Sequence, residues 1–261
     1  MIRPSWIEML VSSRIRVVAP LAAIAGVAVG RTAVAAQSTP SADDAQALLD
    51  RAIAGMAALD SYSFEFESKN GEIALIPEVF TIHDLEGDVV RPDAFQAETE
   101  VEVLFVDLDI RVVTIGDDSW ITNPLVLVGS GNDMVRIGEV DFDGGFNPAW
   151  AVNPDHIALP LLGIIEDPTI SATGSTSSLT QIDGEISLDM ITELGEMFAG
   201  AVVSDFIPDG LPPLQVSVWI GSDDLVHKLE IEGQLFRSES SGLVRSFEFD
   251  DFNEPITIDR P

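Results

Sequence analysis

The amino-acid sequence predicts an α+β protein that is mostly β, with a single antiparallel sheet of about nine or ten strands and two or three short helices. Two observations support this fold class. Near the start of the chain, apolar residues recur at three- and four-residue steps, as in a helix that buries one side. Afterwards apolar and polar residues alternate for most of the length, which is typical of antiparallel strands with one face in water.

The predicted helix covers about residues 43–60. Its start is marked by Ser41 ahead of Asp43 and Asp44, because a hydroxyl and carboxylates stabilise the free N–H groups of a first helical turn. Two interpretations of its apolar side remain open, since this side either packs directly on the sheet or covers a ligand cavity as a lid. The apolar side consists of Ala45, Leu48, Leu49, Ala52, Ile53, Met56 and Leu59.

The strands follow from the alternation. Tyr62, Phe64 and Phe66 mark the first, and Asn70-Gly71 predicts a hairpin turn into a second strand over Ile73–Ile82, interrupted near Pro77. The other strands are predicted at Phe95–Val103, Val106–Val112, after the turn Gly116–Trp120, at Thr169–Gly174 and Gln181–Leu188, and around Val216, Ile231 and Phe247.

The middle of the chain is less regular. Gly129–Asn147 is predicted to be a loop, Pro148–Gly163 to contain a short apolar helix, and Asp189–Ala201 to form a second short helix. No long linker rich in Pro and Ser interrupts residues 43–261, so these residues are expected to form one domain.

The amino-acid composition excludes several classes of function. The chain of 261 residues carries 44 acidic and 13 basic side chains, a net charge of −31, and no cysteine. Binding to nucleic acid is excluded because it requires clustered Lys and Arg. Disulfides, thiolate metal sites and cysteine nucleophiles are excluded as well. With 46% hydrophobic residues, a folded core is expected despite the charge.

The N-terminal 36 residues have the layout of an export signal. Three arginines precede an uncharged run over Val17–Gly30, and small residues follow it up to Ala36. A helix over this run would be about 21 Å long, shorter than the roughly 30 Å of a bilayer's hydrocarbon core. Residues 1–36 are therefore predicted to be a signal peptide or an N-terminal membrane anchor, and residues 37–42 a short tether. The expected location is the cell envelope or the extracellular side of the cytoplasmic membrane.

The sequence contains little that indicates an enzyme. His83, His156 and His227 lie outside any metal-binding spacing, and carboxylates are too abundant for a close pair to indicate acid–base catalysis. Asp141–Gly145 superficially resembles a calcium loop, but Val152 stands where that loop needs glutamate. The sequence therefore predicts no enzyme, no metal site and no cofactor.

A resemblance becomes visible when short motifs are taken in order. They are Leu48–Phe64, Gly87-Asp88 with Arg91-Pro92-Asp93, Gly116–Thr122, Phe146-Asn147-Pro148 with Asn153-Pro154-Asp155, Ile182-Asp183-Gly184, Val218-Trp219-Ile220 and Phe252–Ile258. With this ordered set, residues 43–261 resemble the LppX/LprAFG family of exported lipoproteins. The resemblance implies a LolA-like fold, in which a strongly curved antiparallel sheet forms a half barrel with helices over its concave face.

The resemblance also implies a function, and this chain departs from the family pattern at one point. Family members are thought to hold acyl chains or glycolipids in a hydrophobic cavity and to carry them across the cell envelope, which requires no catalytic group. Their mycobacterial signals end in a cysteine that takes a lipid anchor, whereas this chain has Ala33–Gln37 there. Either the protein is soluble outside the membrane, or the uncleaved segment around Val17–Gly30 tethers it.

The candidate cavity residues are apolar and are chosen by the direction they are expected to face. We expect a lipid or glycolipid ligand, transient membrane contact, a membrane transporter as a candidate partner, no nucleic acid, and a monomer. The alternatives are a structural or interaction module with a fully filled core and, less favoured, a hydrolase using a carboxylate pair. The candidates are Leu48, Leu49, Ile53 and Met56 on the helix, Phe64, Phe66, Val101, Val103, Leu108, Ile110, Val112, Val216, Val218, Leu229 and Ile231 on strands, and Ile157, Leu161 and Leu162 in a flap at the mouth.

Overall fold

The structure of the chain is a computed structural model. It describes residues 41–71, 73–76, 80–82, 84–103, 106–122, 134–137, 149, 152–171, 178–199, 208, 210–236 and 239–261. The signal or anchor predicted for residues 1–36, most of the tether, and the calcium-like loop at Asp141–Gly145 lie outside the described residues.

Thirteen antiparallel strands in the described part of the chain form one sheet, which confirms the mostly β, single-sheet prediction. Eleven of them lie side by side in the order β8-β7-β6-β5-β4-β1-β13-β12-β11-β10-β9, and β2 joins through β3, which pairs with β5. The strands are β1 (Ser61–Lys69), β2 (Ile73–Ile76), β3 (Phe80–Ile82), β4 (Asp84–Val90), β5 (Ala94–Val103), β6 (Val106–Ile115), β7 (Asp118–Thr122), β8 (Met134–Arg136), β9 (Glu166–Ile170), β10 (Thr180–Ile186), β11 (Leu214–Ile220), β12 (Val226–Glu232) and β13 (Val244–Asp250).

The helices agree with the predicted ones in place and differ at their ends. They are α1 (Ala42–Ala57), α2 (Pro154–Ile157), a 3₁₀-helix (Leu159–Ile164) and α3 (Leu188–Ala199). α1 starts inside the predicted tether, because the Ser41 hydroxyl accepts a hydrogen bond from the Asp44 backbone N–H at 3.3 Å while the Asp44 carboxylate accepts one from Ser41 N–H at 2.9 Å. This reciprocal cap fixes the first turn at Ala42.

The hairpin predicted at Asn70-Gly71 is wrong. Asn70 does take the left-handed conformation of a turn, with φ of 64°. However, β1 does not pair with β2; it pairs with β4 on one side and β13 on the other. The strand that follows the turn, β2, pairs with β3 instead, and β3 pairs with β5.

Strand β4 escaped the sequence prediction. Its inward positions are Leu85, Gly87 and Val89, so glycine removes the middle member of an alternating apolar set. A Cβ at Gly87 would lie 2.2 Å from the Gln96 carbonyl oxygen and 3.0 Å from the ring of Phe64. The position is glycine because its neighbours already fill that space.

Two more corrections concern the sheet's edges. Met134–Arg136 was predicted as loop but pairs with β7 as the edge strand β8. The strand predicted at Thr169–Gly174 is Glu166–Ile170, at the opposite edge. This strand contains Asp167, with φ of 48°, and Pro168, two residues that are unusual in strands and therefore did not predict one. They are tolerated here because one edge of the strand is unpaired.

One row of the outward face concentrates negative charge. Four glutamates on adjacent strands β13, β1, β4 and β5 lie directly opposite one another, with a cation opposite each end of the series. At those ends, amino and guanidinium nitrogens lie 3.0 and 3.2 Å from glutamate oxygens. This glutamate row consists of Glu248, Glu65, Glu86 and Glu98, ended by Lys228 and Arg111.

Replacing Glu65 with glutamine is expected to stabilise the fold by up to about 1 kcal/mol at low salt, because like charges directly opposite on a sheet repel. The gain should disappear near 1 M NaCl, where the screening length falls to roughly 3 Å. Urea unfolding at both salt concentrations measures it. Glu232→Gln is the control, since Glu232 is also exposed but faces Gln215 and Val244. An equal effect of both variants would contradict repulsion within the row.

Candidate functional site

The inward side chains of the sheet form one apolar cluster with the helices. α1 packs against β9, β12 and the 3₁₀-helix, and it buries Ala45, Leu49, Ala52 and Met56 along one side. The segment Val152–Ile165, which contains α2 and the 3₁₀-helix and is called the cover segment below, adds Leu159, Leu162 and Ile164. The sheet's apolar face is thus covered by helices along part of its width.

Fifteen of the eighteen predicted cavity residues belong to this cluster or pack against it. The side chains of Val101, Val103 and Leu108 are outside the described residues, so their placement stays a prediction. The residues buried in the cluster are Leu49, Met56, Phe64, Phe66, Ile110, Val112, Leu162, Val216, Val218, Leu229 and Ile231. The partly buried residues that pack against it are Leu48, Ile53, Ile157 and Leu161.

Sequence reasoning left several members of the cluster out of the candidate site. Leu85 and Val89 were missed with β4 itself. Phe95 and Phe247 lie in strands that the alternation predicts, and Phe249 follows Phe247 at the two-residue step, so a signal for them was available. Aromatic residues are prominent among the missed side chains.

The aromatic rings contact one another across the central strands of the sheet. Phe64 stacks on Phe95 with ring centroids 6.1 Å apart, and Phe66 lies 4.8 Å from Phe247. The rings of Tyr62 and Phe249 pack in a T-shaped arrangement, with their centroids 5.9 Å apart. Such pairs contribute about 0.5–1.5 kcal/mol each beyond the area they bury, so they stiffen the centre of the sheet.

Exposure differs between the two halves of the apolar face. On the half that contacts α1, Val218 and Leu229 are completely buried. On the other half, Ile110 and Ile121 keep 8% and 9% exposure. Within that half the exposure lies toward β6 and β7, because Tyr62 and Phe64 on β1 are buried to 0% and 1%.

A polar network joins three elements at one end of the apolar face. The Tyr62 hydroxyl donates a hydrogen bond to Asp155 at 2.7 Å, and Arg91 donates two to the same carboxylate at 2.8 and 2.6 Å. Arg91 also donates to the carbonyl oxygens of Met56 and Leu59 at the end of α1, the latter at 3.0 Å. We call Tyr62, Arg91 and Asp155 the Arg91 network.

Burial perturbs the chemistry of this network. Burial raises the pKa of Tyr62 well above its ordinary value, and the neighbouring Asp155 carboxylate raises it further. The phenol therefore stays protonated and serves as a hydrogen-bond donor. The three residues come from three of the motifs that carry the family resemblance, and the structure brings those motifs into contact.

The motif Phe252–Ile258 also has a structural role. Asn253 accepts a hydrogen bond from Asp60 N–H at 2.7 Å and donates its own N–H to the carbonyl of Ser61 at 2.9 Å. Farther along, Arg260 donates to Asp118 at 2.8 Å and lies over the ring of Trp120. The C-terminal residues thus bind the starts of β1 and β7.

The outward face of the sheet carries grooves that are bordered by carboxylates rather than by apolar side chains alone. One groove of about 810 Å³ is bordered by outward carboxylates of β1, β4, β5 and β6, including Glu65, Glu86 and Glu98 of the glutamate row. Within the described residues, no group of three His, Asp or Glu side chains could hold a metal ion. His227 lies 3.3 Å from Asp223 and against the ring of Phe252, which is a structural contact. In the same part of the chain, no helix is long and apolar enough to cross a membrane.

Comparison with known proteins identifies the fold. LprF from Mycobacterium bovis superposes with a TM-score of 0.54 at 15% identity, over 86% of this chain and 99% of LprF. Lipoprotein LppX from Mycobacterium tuberculosis superposes with a TM-score of 0.51 at 14% identity, over 82% of this chain and 99% of LppX. No family model and no curated protein matches the sequence. The resemblance expected from the motifs is confirmed at the level of fold.

A LolA superfamily protein from Nitrosomonas europaea gives a TM-score of only 0.23 at 12% identity, over 83% of this chain and 94% of that one. This value is too low to support an argument. The strong curvature expected of a half barrel stays a prediction as well.

Proposed function

We propose that this chain, which shares the fold of LprF and of lipoprotein LppX, binds the acyl chains of a lipid or glycolipid on its apolar face and carries them across the cell envelope. The observation that carries the proposal is the apolar cluster that the inward face of the sheet forms with the helices, in that fold. We place the acyl chain near β6 and β7, where the inward side chains of Ile110 and Ile121 keep 8% and 9% exposure.

The chemistry of the face suits this ligand. Burying one methylene contributes about 0.8 kcal/mol, so ten methylenes contribute about 8 kcal/mol, which corresponds to roughly micromolar affinity before ordering costs. Directed polar contacts and catalytic groups are unnecessary for such binding. The acidic outward face would keep a monomeric carrier in solution and repel anionic lipid, so membrane contact should be brief or assisted by a tether or a membrane transporter.

The direct test is organic extraction of the purified native protein followed by mass spectrometry of the extract. We expect co-purified lipid, and we expect delipidated protein to take up a fatty acid that carries a nitrobenzoxadiazole fluorophore. If the native protein carries no lipid and the delipidated protein does not bind the probe, the carrier function is rejected. The remaining reading would then be an interaction module with a filled core.

Ile110→Trp is expected to weaken binding of the probe at least tenfold while the folding midpoint changes little, because the larger side chain would occupy ligand space. Fluorescence titration and thermal unfolding measure the two effects. Asp109→Trp is the matched control, since Asp109 is the exposed neighbour of Ile110 on the same strand and faces outward. If Ile110→Trp unfolds the protein instead, that position is filled core and overpacking is the cause.

A further inference from the structure

We propose that the outward face of the sheet carries a binding site for a linear polyamine, with a terminal ammonium group on Glu67, Ser246 and Glu230 and the following amines along the glutamate row. We call these three residues the ammonium site. This face lies opposite α1 and the cover segment, so the polyamine site is separate from the proposed lipid site. The contacts of the two lysines, one buried hydroxyl and the spacing of the carboxylates all favour this ligand.

The two lysines of the chain show how this face binds an ammonium group. Lys228 Nζ lies 3.0 Å from a carboxylate oxygen of Glu248 and 3.1 Å from one of Glu230. Lys69 Nζ lies 3.2 Å from Glu67 and 3.8 Å from Glu230. Each ammonium group thus joins carboxylates of different strands, and an amine of a ligand can be bound in the same way.

A buried hydroxyl lies between the two carboxylates that Lys69 contacts. Ser246 is opposite Glu67 on β1 and Glu230 on β12. It alternates with the inward Phe247 and is only 2% exposed, and its Oγ has no hydrogen-bond partner in the described part of the chain. Buried hydroxyls in native proteins are generally hydrogen-bonded, so this one is suited to a further donor. The ammonium site therefore offers three acceptors to the three N–H donors of an ammonium group.

Next to the ammonium site, the glutamate row contains carboxylates without a cation. Glu65 and Glu86 lie directly opposite each other, and within the described residues neither is paired with a cation. Both are exposed, and together with Glu67 they border the groove of about 810 Å³. Because like charges directly opposite on a sheet repel, an amine between Glu65 and Glu86 would relieve an unfavourable interaction.

The spacing of these carboxylates favours a chain of amines over a metal ion. Neighbouring strands are about 4.8 Å apart, so carboxylates in a row across the sheet are spread along a line. Among the described residues, no three His, Asp or Glu side chains converge where a metal ion could bind. The amines of a linear polyamine are separated by a few methylenes, so successive amines can contact successive strands.

A protein partner fits this groove less well. Interfaces between proteins generally have an apolar centre with aromatic anchors. Of the apolar residues that line the groove, Phe66, Leu85 and Ile110 are at most 8% exposed and belong to the apolar cluster on the other side of the sheet. Met134, on the edge strand β8, is partly exposed. The accessible groups are mainly carboxylates, so recognition depends on charge and suits a small polycation.

Isothermal titration of the full chain with spermidine at low salt tests the site. We expect the double variant Glu65→Gln with Glu86→Gln to weaken binding about tenfold, because two ammonium contacts lose their charge. The matched control is Glu185→Gln with Glu232→Gln, which removes two exposed outward carboxylates that lie on either side of Gln215. It lowers the net charge equally and should change the affinity less than about twofold.

Two single variants test the ammonium site with effects of opposite sign. Ser246→Ala is expected to weaken spermidine binding about threefold without lowering the unfolding midpoint, because the hydroxyl has no partner to lose. Lys69→Met is expected to tighten binding, because it removes the competing ammonium group. Arg51→Met controls for the change in net charge, since Arg51 is an exposed cation on α1 that pairs with Asp224.

The possible outcomes separate this site from its alternatives. Weaker binding in the row variant and in Ser246→Ala, with unchanged binding in the Gln215-flanking control, supports the polyamine site. Equal weakening in both double variants overturns it, because net charge alone would then attract spermidine, and so does an equal effect of Arg51→Met and Lys69→Met. The absence of any binding beyond that of NaCl at the same ionic strength also overturns it. Tighter binding of Ca²⁺ or of tetralysine than of spermidine overturns the assignment in favour of a metal ion or a basic protein segment.

Discussion

Gly87→Ala is expected to destabilise the protein by about 3 kcal/mol, a large effect for the addition of one methyl group. The new Cβ would lie 2.2 Å from the Gln96 carbonyl oxygen and 2.9 Å from the Cα of Ala97. Both atoms belong to the backbone of β5, so neither can move without disturbing the pairing of β4 with β5. Urea unfolding followed by circular dichroism measures the loss.

Gly242→Ala is the control for this prediction. Nothing lies within 4 Å of a Cβ built at Gly242, so its replacement should change stability by less than about 1 kcal/mol. If Gly87→Ala proves as harmless as Gly242→Ala, the close approach of β4 to β5 and Phe64 is not a feature of the folded protein.

Arg91→Met is expected to cost about 3–5 kcal/mol, because it leaves the Asp155 carboxylate largely buried without its cation. The carbonyl oxygens of Met56 and Leu59 would lose their donor as well. Equilibrium unfolding measures the change. The protein is also expected to unfold at lower temperature in a thermal scan.

A double-mutant cycle isolates the ion pair. Asp155→Asn combined with Arg91→Met removes both charges, so the double variant should be more stable than the sum of the two single losses predicts. Strict additivity would indicate that Arg91 stabilises the fold only through α1. The carbonyl contacts at the end of that helix would then account for the whole effect.

Much of the fold could be predicted from alternation because one face of each strand meets water. Phe64 and Phe66 on β1, and Val216 and Val218 on β11, were assigned to the inward side, where the structure places them. The stripe of α1 was recognisable for the same reason, since a helix that buries one side repeats its apolar residues every three or four positions.

The remainder depends on contacts that a local pattern does not contain. β4 was missed because Gly87 makes room for a ring from another strand, and the expected hairpin after β1 failed because β13, far along the chain, takes that place. The Arg91 network could not be derived either, since its three members come from distant segments. Only the order of the short motifs indicated that the segments containing Tyr62, Arg91 and Asp155 are important for the structure.

The pairing of β1 with β13 has a consequence for how the chain folds. β1 is the first strand and β13 the last, yet they are neighbours in the middle of the sheet, and Asn253 then binds the start of β1. The two halves of the sheet cannot be joined until β13 has been synthesised. Such long-range pairing slows folding and leaves β1 with an unpaired edge in the meantime.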